Sequence, residues 1–170
     1  MISLRLGLVA WLVLAVSACG GGKPAEPAPT PTPESFFSHR GTVMPLKSAL
    51  KEIGFKPFFP SRQIVETALL PAYNNGDDIK RNRGIGFEYV SSHESYALSQ
   101  WPGKPKTGPV SLPSEQGCGL SAYTIGTNKG HLGVLWSNGT IVSNLQPTGN
   151  ATSKATVAEA RRLARRGACR

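Results

Sequence analysis

The residues of this chain best able to do chemistry are its three cysteines and three histidines. His39, His93 and His131 stand far apart in the sequence, and none of them lies in an HExxH or HxH spacing, so local pattern predicts no metal ligand. No GxSxG or SxxK motif marks a nucleophilic serine. A Ser–His–Asp triad whose members are distant in sequence remains an alternative. The sequence therefore predicts no catalytic, metal-binding or cofactor-binding residue and no cofactor.

The first cysteine, Cys19, closes the stretch Val16-Ser17-Ala18-Cys19. This stretch resembles the lipobox of bacterial lipoproteins, in which an aliphatic residue, a small residue and Gly, Ala or Ser precede an obligatory cysteine. The resemblance implies diacylglyceryl attachment to the Cys19 thiol, cleavage before Cys19 and N-acylation of the new terminus. Several acyl chains on one residue anchor a protein stably, whereas one chain binds a membrane only marginally. The alternative is an ordinary secretory signal with an incidental cysteine.

The segments around Cys19 agree with secretion and tethering. Leu6 to Val16 is an apolar run of eleven residues after Arg5, which is typical of a signal peptide and too short to span a bilayer. Gly20 to Glu34 is rich in glycine and proline and cannot bury apolar surface, so it predicts a disordered spacer. A proline-rich ligand for a partner is the alternative. We expect a signal peptide at 1–18, a lipidated spacer at 19–35 and one domain at 36–170.

With Cys19 assigned to lipid, Cys118 and Cys169 remain as an even pair. An even pair outside the cytoplasm predicts a disulfide. Closing a loop of about fifty residues stabilises the fold by roughly 4 kcal/mol in the chain-entropy model. Two free thiols are the alternative.

The net charge of +9 belongs to the predicted domain, because Arg5, Lys23, Glu26 and Glu34 cancel one another. Such a balance favours anionic partners such as an envelope polymer or lipid head groups. A possible contact surface is the terminal helix, whose arginines repeat at helical spacing: Arg161, Arg162, Arg165 and Arg166. A solvated helix face is the alternative, and an extracytoplasmic location argues against nucleic acid.

The elements that would position these residues indicate an α+β domain. We expect a mainly antiparallel sheet of four to six strands, with short helices near both ends packed on one face. One helix is predicted around Leu46, Leu50 and Ile53, and Ile85, Phe87 and Tyr89 alternate as in a half-buried strand. Residues 103–117 read as a loop, and Asn138-Gly139 as a two-residue type I′ hairpin turn.

The terminal helix is predicted from an apolar side made by Val157, Ala160 and Leu163 or Ala164. Thr156 to Glu159 has the spacing of a capping box at its start, and Gly167 is expected to end it.

The order of elements over residues 42–167 resembles an uncharacterised extracytoplasmic domain of bacterial lipoproteins and anti-sigma-factor ectodomains. The likeness is carried by "ALKEIGF", "FFP", "FEYVSSHESYALSQWP" and "LGVLWSNGTIVSNLQ" before a terminal helix. It implies a non-enzymatic sensing or binding role. The chain departs from that pattern in its Pro- and Gly-rich middle loop, and it has no transmembrane segment leading to a sigma-factor-binding region.

Three hypotheses follow for function. The first is a membrane-anchored extracytoplasmic lipoprotein, on the cell membrane or the outer membrane, of binding, sensing or structural type and not an enzyme. The second is a cell-envelope hydrolase with a spatially dispersed active site. The third is a module that binds an anionic envelope polymer through the terminal arginines. Another envelope protein is the alternative partner.

Overall fold

Within the residues that the structure describes, the fold is built on one antiparallel sheet that carries the helices near both ends of the domain on one of its faces. The computed structural model describes residues 34–60, 63–72, 82–103, 110–115, 118–125 and 131–168, which all belong to the unit Pro33–Arg170. The α+β class and the antiparallel sheet are therefore confirmed. The predicted signal peptide and most of the predicted spacer lie outside the described residues.

The described part of the sheet has eight strands in the spatial order β1-β2-β3-β4-β8-β7-β6-β5. The central pair is β4 with β8, so two four-stranded meanders meet side by side. The strands are β1 Thr42–Val43, β2 Ile64–Leu70, β3 Gly84–Ser91, β4 Glu94–Pro102, β5 Val110–Glu115, β6 Cys118–Thr124, β7 Leu132–Ser137 and β8 Ile141–Pro147.

The prediction of four to six strands was wrong because it missed both edge strands. β1 is only two residues long, which gives no alternation to detect. β5 lies within the predicted loop and contains Pro113. An edge strand tolerates proline because the missing N–H can face away from its single neighbour, here β6.

The first helix, α1, runs from Leu46 to Glu52 and packs beside β2. Ala49 and Ile53 are buried in the main core, and Leu46 and Leu50 pack against it. The predicted apolar face is therefore confirmed.

The second helix, α2, runs from Ser153 to Leu163 and continues as a π-helical turn, Ala164–Ala168. Its predicted apolar side is confirmed, since Ala160, Leu163 and Ala164 are fully buried. The predicted capping box is wrong: the N-cap is Thr152, whose Oγ1 accepts from Ala155 N at 3.2 Å. Gly167 does not end the helical segment, because it lies within the π-helical turn.

Over β2, β3 and β4, the opposite face of the sheet is covered by the segment just before β1. Phe37 is fully buried there with Ala68, Leu70 and Ala97. Its ring lies directly over Gly86, where a Cβ atom would come within 2.5 Å of Phe37 Cε1. Glycine in a strand marks such a close approach.

The hairpin turn between β7 and β8 differs in type from the prediction. Asn138 pairs with Ile141, so Gly139 and Thr140 are the central residues, and only Gly139 has positive φ, at 94°. That is the pattern of a type II′ turn and not of the predicted type I′ turn. Asn138 instead serves the turn through its side chain, whose Oδ1 accepts from Ile141 N at 2.8 Å.

Among the described residues, no helix combines the length and the apolar character that crossing a membrane requires.

Candidate functional site

A cleft of about 430 Å³ lies between the β3–β4 turn and one side of α2. The sheet supplies Ser91, Ser92, Glu94 and Tyr96. The helix supplies residues spaced three or four apart, which share one side of an α-helix: Ala155, Ala158, Glu159, Arg162 and Arg165. The cleft therefore lies where one side of α2 faces the end of this hairpin.

Glu159 lines the cleft and is the centre of a hydrogen-bond network in its wall. Its side chain is 7% exposed and forms a two-point ion pair with Arg162, with Nε to Oε2 at 2.6 Å and Nη2 to Oε1 at 2.5 Å. Tyr89 Oη donates to Oε1 at 2.9 Å and Ser91 Oγ donates to Oε2 at 3.2 Å. A buried carboxylate needs such partners, because removing a charge from water is costly. The network joins α2 to β3.

The two tyrosines beside this network stay protonated. Tyr89 and Tyr96 are paired across β3 and β4, and their ring centroids are 5.8 Å apart. Burial, followed by the charge of Glu159, raises the pKa of Tyr89 far above its ordinary value and that of Tyr96 to about 12. Both phenols are therefore hydrogen-bond donors throughout the physiological pH range, and neither can act as a base there.

The turn at the rim of the cleft holds two non-glycine residues in the left-handed region. Ser92 has φ 50° and His93 has φ 69°, and the flanking residues Ser91 and Glu94 are paired. This is a type I′ hairpin turn, which normally carries Asn-Gly. Backbone strain of this kind is often kept where a site needs a particular geometry.

Replacing both central residues, Ser92→Asn with His93→Gly, is expected to stabilise the protein by about 1 kcal/mol, because Asn and Gly adopt the turn with less strain. Denaturant unfolding measures the change. Ser92→Asn with His93→Ala is the control, since alanine gains nothing at positive φ. Unchanged or lower stability of the Asn-Gly variant would show that the turn is not strained.

Three polar side chains on the sheet side of the cleft have no hydrogen-bond partner within the described ranges: those of Ser92, Glu94 and Tyr96. Glu94 is half-buried and its carboxylate neighbours the Tyr96 phenol closely enough to raise the pKa of that phenol. The cleft therefore offers a carboxylate acceptor and hydroxyl groups to a ligand, beside a guanidinium group already engaged by Glu159.

Only two of the four arginines of the predicted contact surface lie together at the cleft. Arg162 and Arg165 line the cleft, and Arg162 is committed to Glu159. Arg161 is half-buried, whereas Arg166 is exposed. Contact of the four arginines with an anionic surface stays a prediction.

The predicted cysteine sites are located in part. Cys118 begins β6, is 1% exposed and is disulfide-bonded. Cys169 and Cys19 lie outside the described residues. The pairing of Cys118 with Cys169 and the lipid on Cys19 therefore stay predictions.

The histidines do not assemble a catalytic group in the part of the chain that the structure describes. His39 Nε2 lies 2.7 Å from Glu34 Oε1, with both side chains largely exposed. His93 is exposed in the β3–β4 turn, and His131 precedes β7. Across the described ranges, no group of three or more His, Cys, Asp or Glu residues could hold a metal ion.

Sequence reasoning missed the cleft residues Ser91, Glu94, Tyr96 and Glu159, and it missed Tyr89, which bonds to Glu159. The one local signal was the spacing of Glu159 and Arg162, three residues apart on a helix, which permits an ion pair.

Comparison with known proteins adds no relative: the chain matches no family model, no curated protein and no solved structure.

Proposed function

We propose that this protein is a lipid-anchored binding domain of the bacterial cell envelope, and that the cleft between the β3–β4 turn and α2 is its ligand site. The lipobox at Val16–Cys19 supports the anchor. The observation that carries the binding role is that, within the described residues, the side chains of Ser92, Glu94 and Tyr96 on the sheet side of this cleft have no hydrogen-bond partner.

The chemistry of the cleft favours recognition over catalysis. Glu159 accepts four hydrogen bonds, two of them from a guanidinium group, so its lone pairs are occupied and it is poorly suited to act as a general base. Its role is to fix α2 against β3 and so to set the width of the cleft. Preorganised walls reduce the entropy that binding costs.

The free groups define the class of ligand. Glu94 accepts hydrogen bonds from an ammonium or amide group, and the hydroxyls of Ser92 and Tyr96 pair with carbonyl or hydroxyl oxygens. A ligand with closely spaced amide, ammonium and hydroxyl groups satisfies all three. Peptide and amino-sugar units of the cell wall have this chemistry, so muropeptides are the appropriate probe.

Glu94→Gln is expected to weaken muropeptide binding by about tenfold or more, because a hydrogen bond to a charged group contributes roughly 1.5–3 kcal/mol. Isothermal titration of the full chain with muropeptides from digested peptidoglycan measures this. Glu88→Gln is the matched control, because Glu88 lies on the other face of the same hairpin.

Equal binding by the Glu94→Gln and wild-type chains would overturn the assignment of the cleft. Binding of teichoic acid in place of muropeptides, lost on alanine substitution of the four terminal arginines, would instead support the anionic-polymer hypothesis.

The anchor has a separate test. Cys19→Ala is expected to abolish incorporation of labelled palmitate and to release the protein from the membrane fraction, because the thiol is the proposed acyl acceptor. Cys118→Ala is the control cysteine, and it is expected to keep the label. Label or membrane partitioning that survives Cys19→Ala would contradict the lipobox assignment.

A further inference from the structure

A second recess lies at the C-terminal end of α1. Its lining residues, between Leu50 and Phe59, are distant in sequence from those of the cleft. The recess has a volume of about 690 Å³ and an apolar floor formed by Leu50, Ile53, Phe55 and Phe59. We call it the α1 groove. Phe59 is 41% exposed, whereas large aromatic side chains are usually more deeply buried.

The exposure of Phe59 is imposed by the core and is not the result of a loose connector. Gln100 is fully buried in β4, its Oε1 accepts from Phe58 N at 2.9 Å, and its Nε2 donates to Phe58 O at 2.6 Å. The Phe59 ring lies against Phe87, with 5.5 Å between the centroids. The connector is thus clamped to the sheet with one side of Phe59 presented outward.

The rim of the α1 groove is cationic. Lys47 and Lys51 stand one turn apart on α1, Lys56 lines the groove, and all three are exposed. Within the described ranges these lysines have no ion pair. The acidic residue of α1, Glu52, is already paired with Arg83 at 3.2 Å. An apolar floor with a cationic rim complements an anionic bilayer surface, where each lysine contributes about 1 kcal/mol and aromatic groups enter the interface.

We propose that the α1 groove docks the domain on an anionic phospholipid surface, with Phe59 in the interface and Lys51 and Lys56 against the head groups. The proposed tether permits this orientation. About fifteen residues separate Cys19 from Glu34, and an extended proline-rich segment spans about 45 Å at 3.1 Å per residue. That exceeds the width of a domain of this size, about 35 Å, so any face can reach the membrane.

The test places a tryptophan reporter in the groove. The full chain with Phe59→Trp is reconstituted in vesicles of phosphatidylglycerol and brominated phosphatidylcholine, and quenching of tryptophan fluorescence by bromine is measured. Val110→Trp is the matched control, because Val110 is also exposed but lies on β5, at the opposite edge of the sheet from α1. The native tryptophans and the mode of membrane attachment are the same in both chains.

We expect strong quenching with the reporter at position 59 and background quenching with the reporter at position 110. Adding Lys51→Glu and Lys56→Glu to Phe59→Trp, or omitting phosphatidylglycerol, is expected to reduce the docked fraction about tenfold or more. Lys154→Glu, on the exposed side of α2, is expected to change nothing.

Equal quenching of the two reporters would overturn the proposal, as would groove quenching that is indifferent to the lysines and to the anionic lipid. The result is independent of the ligand cleft, because muropeptide binding is expected to be unaffected by Lys51→Glu and Lys56→Glu. The inference depends on the proposed membrane attachment only to bring the domain to a bilayer, and palmitate labelling of Cys19 tests that attachment separately.

Discussion

Arg162→Ala is expected to lower the free energy of unfolding by about 3 kcal/mol. The substitution leaves the Glu159 carboxylate, which is 7% exposed, with only the hydroxyls of Tyr89 and Ser91 as donors. Breaking a buried pair from one side costs about 3–5 kcal/mol, and the partial exposure of Arg162, whose side chain is 32% accessible, reduces that figure. Denaturant unfolding monitored by circular dichroism measures it.

The matched control is Arg166→Ala, on the exposed side of the same helical segment, which is expected to change stability by no more than about 0.5 kcal/mol. The double variant Arg162→Ala with Glu159→Gln is expected to lose less stability than the sum of the losses of the two single variants, because a buried neutral amide needs fewer hydrogen-bond partners than a carboxylate. Similar stabilities of Arg162→Ala and Arg166→Ala would show that this ion pair does not fix α2.

Phe37→Ala is expected to destabilise the protein by about 3–5 kcal/mol, the usual cost of removing a fully buried phenylalanine. The ring packs on β2, β3 and β4, on the face of the sheet opposite the helices. Gly86→Ala is expected to be destabilising by a different route, since its Cβ would lie 2.5 Å from Phe37 Cε1 and would displace the ring. Thermal and denaturant unfolding measure both changes.

The two substitutions are expected to be strongly non-additive. In a Phe37→Ala background the space above Gly86 is empty, so Gly86→Ala should become nearly neutral. Phe36→Ala is the neighbouring control. Because Phe36 is only partly buried, this substitution should lower the free energy of unfolding by less than Phe37→Ala does. Additive losses would contradict the packing of Phe37 on Gly86.

Local alternation predicted the strands of the sheet interior and the apolar sides of both helices because those patterns are set within a few residues. Ile85, Phe87 and Tyr89 face the helices, and their neighbours face the other way. The edges escaped prediction because an edge strand can be very short, as Thr42–Val43 is, or can contain Pro113.

The cleft could not be predicted, because its contacts join residues remote in sequence. The bond from Tyr89 to Glu159 spans seventy positions, and only the packing of α2 on the sheet brings these side chains together. The spacing of Thr156 and Glu159 instead predicted a capping box at the start of α2, although the N-cap residue is Thr152. Local motifs describe local bonds, whereas a buried carboxylate takes partners from whatever element packs against it.

The turn assignments show the same limit. Asn138-Gly139 has the composition of a type I′ turn, yet pairing of Asn138 with Ile141 moves the centre of the turn by one residue. The type I′ turn lies instead at Ser92-His93, and these residue types do not predict a type I′ turn, which favours Asn-Gly. That contrast between residue type and backbone is one reason to place the ligand site there.

Hydrogen exchange of the full chain with and without muropeptides tests the central proposal most directly. The amides of residues 91–96 and 155–165 are expected to become protected in the presence of muropeptides, because the ligand would bridge the β3–β4 turn and α2. The amides of residues 46–59, around the α1 groove, are expected to exchange as before. Protection confined to residues outside 91–96 and 155–165, or no protection at saturating muropeptide, would contradict the proposal that this cleft is the ligand site.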